Sequence, residues 1–86
     1  MRSGYSLIVD RAFPEDLQFW VETQPRVASK VLELVESISR DPYAGLGKPE
    51  RVRAIDAWSR RITQEHRLVY RVDERRVYLL QCRYHY

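Results

Sequence analysis

Trp58-Ser59-Arg60-Arg61-Ile62-Thr63, Glu65-His66-Arg67-Leu68-Val69-Tyr70-Arg71-Val72 and Val77-Tyr78-Leu79-Leu80-Gln81-Cys82-Arg83-Tyr84-His85-Tyr86 decide the fold. In the first run Trp58 and Ile62 alternate with Ser59 and Arg61. In the second, His66, Leu68, Tyr70 and Val72 alternate with Arg67, Val69 and Arg71. A period of two puts alternate side chains on opposite faces of a strand. The third run is rich in aliphatic and aromatic residues, and its aromatics suit strands. Asp73-Glu74-Arg75 can turn the second run into the third. Three strands joined this closely pair antiparallel.

Upstream, residues 5–10 read as a short strand. Phe13, Leu17, Trp20 and Val21 then recur at helical spacing, with Pro14 in the first turn. A second stripe, Val27, Val31, Leu34, Val35 and Ile38, restarts at Pro25 and stops before Asp41-Pro42, because the residue before a proline disfavours helix. Pro42, Gly45, Gly47 and Pro49 mark a structured loop over 42–57. The order β-α-α-β-β-β predicts an α+β fold in which a helical hairpin covers one face of an antiparallel sheet and leaves the other face free.

At 86 residues, one domain spanning 1–86 is expected. Hydrophobic residues make up 44% and charged residues 31%, the proportions of a soluble globular domain. No apolar run is long enough to span a bilayer, so no membrane partner is expected. The opening Met1-Arg2-Ser3-Gly4 lacks the apolar stretch of a signal peptide, which makes the cytoplasm the expected location. Cys82 stands alone in an apolar run and reads as a buried structural thiol.

Charge divides along the chain. Residues 1–47 carry five basic and seven acidic side chains; residues 48–86 carry ten basic and five acidic. Thirteen of the fifteen basic residues are arginine, whose forked donors suit phosphate oxygens. The C-terminal half is therefore a candidate polyanion surface, or else a solvated basic face. His66 shares the parity of Leu68 and Tyr70 and reads as a half-buried, hydrogen-bonded histidine. Trp20, Trp58 and Tyr84 read as packing residues. Two scattered histidines and one cysteine form no metal-ligand cluster, so neither metal nor cofactor is expected. RNA cleavage fits this inventory. The 2′-hydroxyl sits beside its own phosphate, and an enzyme need add only a base, an acid and fixed cations.

Gly47-Lys48-Pro49-Glu50, Trp58-Ser59-Arg60-Arg61-Ile62-Thr63, Glu65-His66-Arg67-Leu68-Val69-Tyr70 and Cys82-Arg83-Tyr84-His85-Tyr86, in this order, resemble the YoeB-type toxins of the RelE/ParE superfamily. The resemblance covers Asp41 to Tyr86 and implies a RelE-like, microbial-RNase-type fold. It further implies a toxin of a type II toxin–antitoxin pair that cuts messenger RNA in the ribosomal A site. By the same resemblance Glu50 is the general base, Arg67 stabilises the scissile phosphate, His85 is the general acid and Tyr86 positions the RNA. Arg61 is implied as a phosphate or ribosomal RNA contact, with Lys48, Arg53, Arg60 and Arg83 as further RNA- or ribosome-binding cations. The implied partners are a cognate antitoxin with a disordered tail over the basic face, the ribosome with its message, and a second copy of the chain. The connection Arg51–Ala57 departs from the family in being shorter and in lacking a glycine before the aromatic residue.

Two other readings stay open: a non-catalytic toxin of the same fold that poisons DNA gyrase, and a basic RNA-binding module. A three-residue turn at 73–75 would place Arg67 and His85 on one sheet face, and a four-residue turn would not.

Overall fold

The computed structural model describes residues 4–84, so His85 and Tyr86 lie outside the described residues. The chain runs β1 (Ser6–Val9), α1 (Ala12–Thr23), α2 (Pro25–Arg40), β2 (Glu50–Val52), a 3-10 turn (Arg53–Ile55), β3 (Ala57–Arg61), β4 (Arg67–Asp73) and β5 (Arg76–Gln81). Two helices pack on one five-stranded sheet of order β1-β5-β4-β3-β2, an α+β fold.

The helices form where the stripes require. Pro14 sits in the first turn of α1, where its missing N–H leaves no helical hydrogen bond unmade. Pro25 opens α2, with its fixed φ suited to a first helical turn. Buried Phe13 and Trp20 on α1 face Ala28, Val31, Leu34 and Ile38 on α2, and Leu68, Tyr70, Val77 and Leu79 close the core from the sheet. The Trp20 indole donates to the Cys82 carbonyl at 2.8 Å, and the Cys82 N–H donates to an Asp16 carboxylate oxygen at 3.0 Å. These two bonds stitch the end of the sheet to α1.

Three features differ from the sequence expectation. The sheet is mixed rather than antiparallel: β1 pairs parallel with β5, from Ser6 opposite Arg76 to Val9 opposite Leu79. Short turns fix the directions of β2 to β5 relative to one another. The direction of β1 is set instead by where the helical hairpin must land, which local alternation does not record. The 42–57 loop contributes a fourth antiparallel strand, β2, whose Glu50 faces Ser59 on β3. Finally, the last strand ends at Gln81 rather than at the C-terminus. The β4–β5 turn has two residues, Glu74 and Arg75, between the paired Asp73 and Arg76. Val69 faces Gln81 while Tyr70 faces Leu79, so a bulge leaves Leu80 unopposed. Neither anticipated turn length occurs, and the register of His85 falls outside the described residues.

Candidate active site

The helix-free face of β2, β3 and β4 carries Glu50, Ser59, Arg61 and Arg67 side by side. The pairings that align them are Glu50 with Ser59 and Arg61 with Arg67. Arg67 is buried to 7% exposure. Its Nε donates to Ser59 Oγ at 2.9 Å and its Nη2 donates to Glu50 Oε1 at 3.0 Å. Ser59 is itself fully buried, so its hydroxyl fixes the azimuth of the guanidinium. The Glu50 side chain keeps 56% of its surface open to solvent. A buried cation thus holds one side of an accessible carboxylate. Across the strand pair stands exposed Arg61, whose like charge opposite Arg67 favours an anion between them.

The loop before β2 delivers Glu50. The Arg61 N–H donates to the Gly47 carbonyl at 2.7 Å. Gly47 has φ +83, and a Cβ there would lie 2.8 Å from Leu34 Cδ2, so only glycine fits. Lys48 is exposed at φ 53 and leads through Pro49 into Glu50. Beyond β2, Asp56 occupies a left-handed position at φ 52, which aspartate tolerates better than most side chains. There Arg51 bonds the Asp56 carboxylate at 2.7 Å.

The expected cations do not all gather here. Arg53 lies exposed on the 3-10 turn, at the far end of β2 from Glu50, roughly 10 Å along the chain. Arg60 points to the other face and is fully buried, so its assignment as an RNA contact is corrected. Its guanidinium donates to Tyr70, Ser37 and the carbonyls of Asp41, Ala44 and Leu46, which leaves no donor for a phosphate. Arg83 is also on the helix side. It stacks on Phe19, 3.5 Å from the ring centroid, and on Tyr84 at 4.7 Å. The three residues line an open groove of about 620 Å³ with Trp20 and His66.

His66 is half-buried, edge-on to Trp20, as its parity predicts. Its Nδ1 accepts the Tyr84 N–H at 2.7 Å, which puts the ring proton on Nε2 in this arrangement. Tyr84, which reads from sequence as a packing residue, is instead 58% exposed at φ 66. It turns the chain: its N–H binds His66 while its carbonyl accepts the Arg67 N–H at 3.1 Å. Ser59 is the residue that sequence reasoning missed. The signal is in the alternation, since Ser59 shares its parity with Arg61 and so faces the same side of the sheet.

The family of YoeB-like toxins of bacterial type II toxin–antitoxin systems matches residues 9–86, a span that takes in Glu50, Arg67 and the C-terminal residues. This chain belongs to the YoeB-like toxin family. Toxin YoeB of Escherichia coli K12 is 45% identical over 74 residues, covering 84% of this chain and 88% of that protein. A YoeB/ParE toxin from Agrobacterium tumefaciens superposes with a TM-score of 0.86 at 41% identity, covering 94% of this chain and 99% of that one. The YoeB dimer from Staphylococcus aureus gives a TM-score of 0.85 at 34% identity, over 96% of this chain and 99% of that one. YoeB in the YoeB-YefM complex of the same organism gives 0.82 at 34% identity, over 95% and 98%. The α+β arrangement of two helices on a mixed sheet is therefore the YoeB arrangement.

Proposed function

We propose that this YoeB-like toxin is a ribosome-dependent endonuclease that cuts messenger RNA in the decoding A site. The observation that carries the reading is the Arg67–Glu50 pair, a buried cation 3.0 Å from an accessible carboxylate. Such a pair suits transesterification by the RNA 2′-hydroxyl. An entering phosphate competes for Arg67 and frees Glu50 to take the 2′-hydroxyl proton. Arg67 and Arg61 then face the charge that builds on the five-coordinate phosphorus. His85 protonates the leaving 5′-oxygen and Tyr86 positions the RNA. The products are a 2′,3′-cyclic phosphate and a 5′-hydroxyl end. RNA supplies the nucleophile, so the scheme routes no step through a metal. Support for the His85 role comes from Tyr84, one peptide bond earlier, whose carbonyl is tied to the Arg67 N–H.

The same reading gives the chain a cognate antitoxin, by analogy with the YoeB-YefM complex, and a self-associated form, by analogy with the YoeB dimer. The proposed site of action is the cytoplasm, where ribosomes are.

The test is primer extension on a defined message in a purified translation system, with and without ribosomes. Cuts at A-site codons that need ribosomes, carry 5′-hydroxyl ends, and fall by about a hundredfold or more in Glu50→Gln and His85→Ala would support the proposal. Primary cuts with 5′-phosphate ends would rule out the mechanism. No cuts from folded native protein would transfer the chain to the gyrase-poison or RNA-binding readings.

A further inference from the structure

Arg60 is the most completely committed polar side chain among the described residues, and the site chemistry does not use it. It is fully buried. Nε donates to Tyr70 Oη at 3.0 Å, Nη1 to Ser37 Oγ at 2.8 Å and the Leu46 carbonyl at 2.9 Å, and Nη2 to the Asp41 and Ala44 carbonyls at 2.7 and 3.1 Å. All five guanidinium N–H groups are thereby used. Tyr70 extends the network by donating to the Pro42 carbonyl at 2.6 Å. Most of the acceptors in this network are main-chain carbonyls between Asp41 and Leu46, so the loop is wound around one guanidinium. The glycines permit it: a Cβ on Gly45 would lie 2.7 Å from Ser37 Oγ and 3.3 Å from Arg60 Nη1, and one on Gly47 would lie 3.1 Å from Arg60 Cβ.

A buried cation solvated by dipoles is a poor device for stability alone. Apolar residues of similar volume often stabilise a protein as well or better. What Arg60 supplies is a fixed path for the loop. The neighbouring Arg61 N–H fixes the Gly47 carbonyl at 2.7 Å, and Glu50 follows three residues later, on the same face as Arg67. The side chain of one residue and the main chain of the next thus determine where Glu50 begins β2.

We infer that Arg60 is a positioning residue for Glu50: it touches no substrate and acts through the 41–47 loop. The inference rests on the endonuclease reading for its kinetic consequence. Its structural consequence is independent of that reading.

Both are tested with Arg60→Lys, whose single ammonium has three N–H donors and cannot replace the guanidinium fork. Tyr70→Phe, which keeps the ring in the core and deletes one hydroxyl, is examined in parallel. Amide hydrogen exchange on the folded variants reads the loop directly. Exchange at residues 43–48 should accelerate about tenfold or more while Leu68 and Val69 in β4 stay protected. Single-turnover cleavage of ribosome-bound message, in Glu50 and Glu50→Gln backgrounds, reads the consequence. Arg60→Lys should lower the saturated rate roughly thirty- to hundredfold with little change in half-saturating toxin, and should add less than about threefold to Glu50→Gln. Folded variants whose loop exchange is unchanged would overturn the inference, as would losses fully additive with Glu50→Gln. If Glu50→Gln itself cleaves normally, the assignment of Glu50 as base fails, and the exchange result alone decides whether Arg60 holds the loop.

Discussion

Arg67 and Glu50 come from strands that are not neighbours, yet Nη2 and Oε1 meet at 3.0 Å because both reach over Ser59 on β3 between them. Ser59 Oγ accepts Arg67 Nε at 2.9 Å, so the guanidinium is gripped at one end and offers its fork at the other. The pair is a cation held in place by the fold and a carboxylate free to leave it.

This geometry separates arginine from lysine. Arg67→Lys keeps the charge, but one nitrogen cannot bond Ser59 and Glu50 in the same fork. The expected result is about a hundredfold or greater loss of cleavage with ribosome binding nearly unchanged, and a loss of about 1–2 kcal/mol in urea unfolding from the unpaired Ser59 hydroxyl. Rates close to native in the lysine variant would mean that charge alone suffices.

Arg61 should behave differently because it is exposed and, among the described residues, its head group makes no hydrogen bond or ion pair. Arg61→Ala is expected to leave unfolding stability within about 0.5 kcal/mol. Affinity for ribosomes or RNA should fall, and the slope of log affinity against log salt should become shallower by about one unit. An unchanged salt slope would remove Arg61 from the phosphate contacts.

Much of this was legible in the chain. Alternation located β3 and β4 because their two faces meet different surroundings, helices on one side and the candidate site on the other, and β5 was marked by its apolar, aromatic run after the 73–75 turn. It also placed Arg67 on the working face and His66 on the helix face. Arg60 defeated the same logic. Its parity put it with Trp58 and Ile62, but a basic residue in a basic half reads as surface until the loop that solvates it is folded over it. Tyr84 failed for a related reason: its exposure follows from a left-handed turn made possible by His66 and Arg67, both distant in sequence. The parallel pairing of β1 depended on a tertiary landing that no local pattern encodes.

Cys82 gives the fold a pH signature. It is fully buried, and burial, aided by the Asp16 carboxylate, pushes its thiol up to about 12 from an ordinary value of 9.0. The unfolded chain therefore gives up its thiol proton first. The associated stability is fully present below about pH 9 and is lost as pH rises toward about 12. Between about pH 9 and 10 alone the loss is about 1 kcal/mol. Tyr70, also raised by burial from its ordinary 10.0, adds to the decline at higher pH. Urea unfolding at about pH 7, 9 and 10 should show this slope, and Cys82→Ala should flatten it while lowering stability at about pH 7 through the cavity it leaves. The native thiol should resist a disulfide reagent at about pH 8 until the chain unfolds. Fast labelling of folded protein would contradict its burial.

The tie between the end of the described chain and the site can be cut selectively at His66. The ring packs edge-on against Trp20 with centroids 4.7 Å apart, while Nδ1 accepts the Tyr84 N–H at 2.7 Å. His66→Phe preserves the packing and removes the acceptor. Tyr84 would keep its carbonyl on the Arg67 N–H but lose the bond that supports its left-handed φ of 66. The cost to global stability should be small, about 1 kcal/mol, because Tyr84 is exposed and water can replace the acceptor. Cleavage should fall further than that figure suggests, by about tenfold or more, since the residue joined to Tyr84 is the proposed acid, His85, and a displacement of about 1 Å at a proton donor is costly. The discriminating control is His66→Phe in a His85→Ala background. If His66 acts by placing His85, the second substitution should add little to the first. If the losses multiply instead, His66 serves the site by another route, and the chain end at Tyr84 does not position the acid.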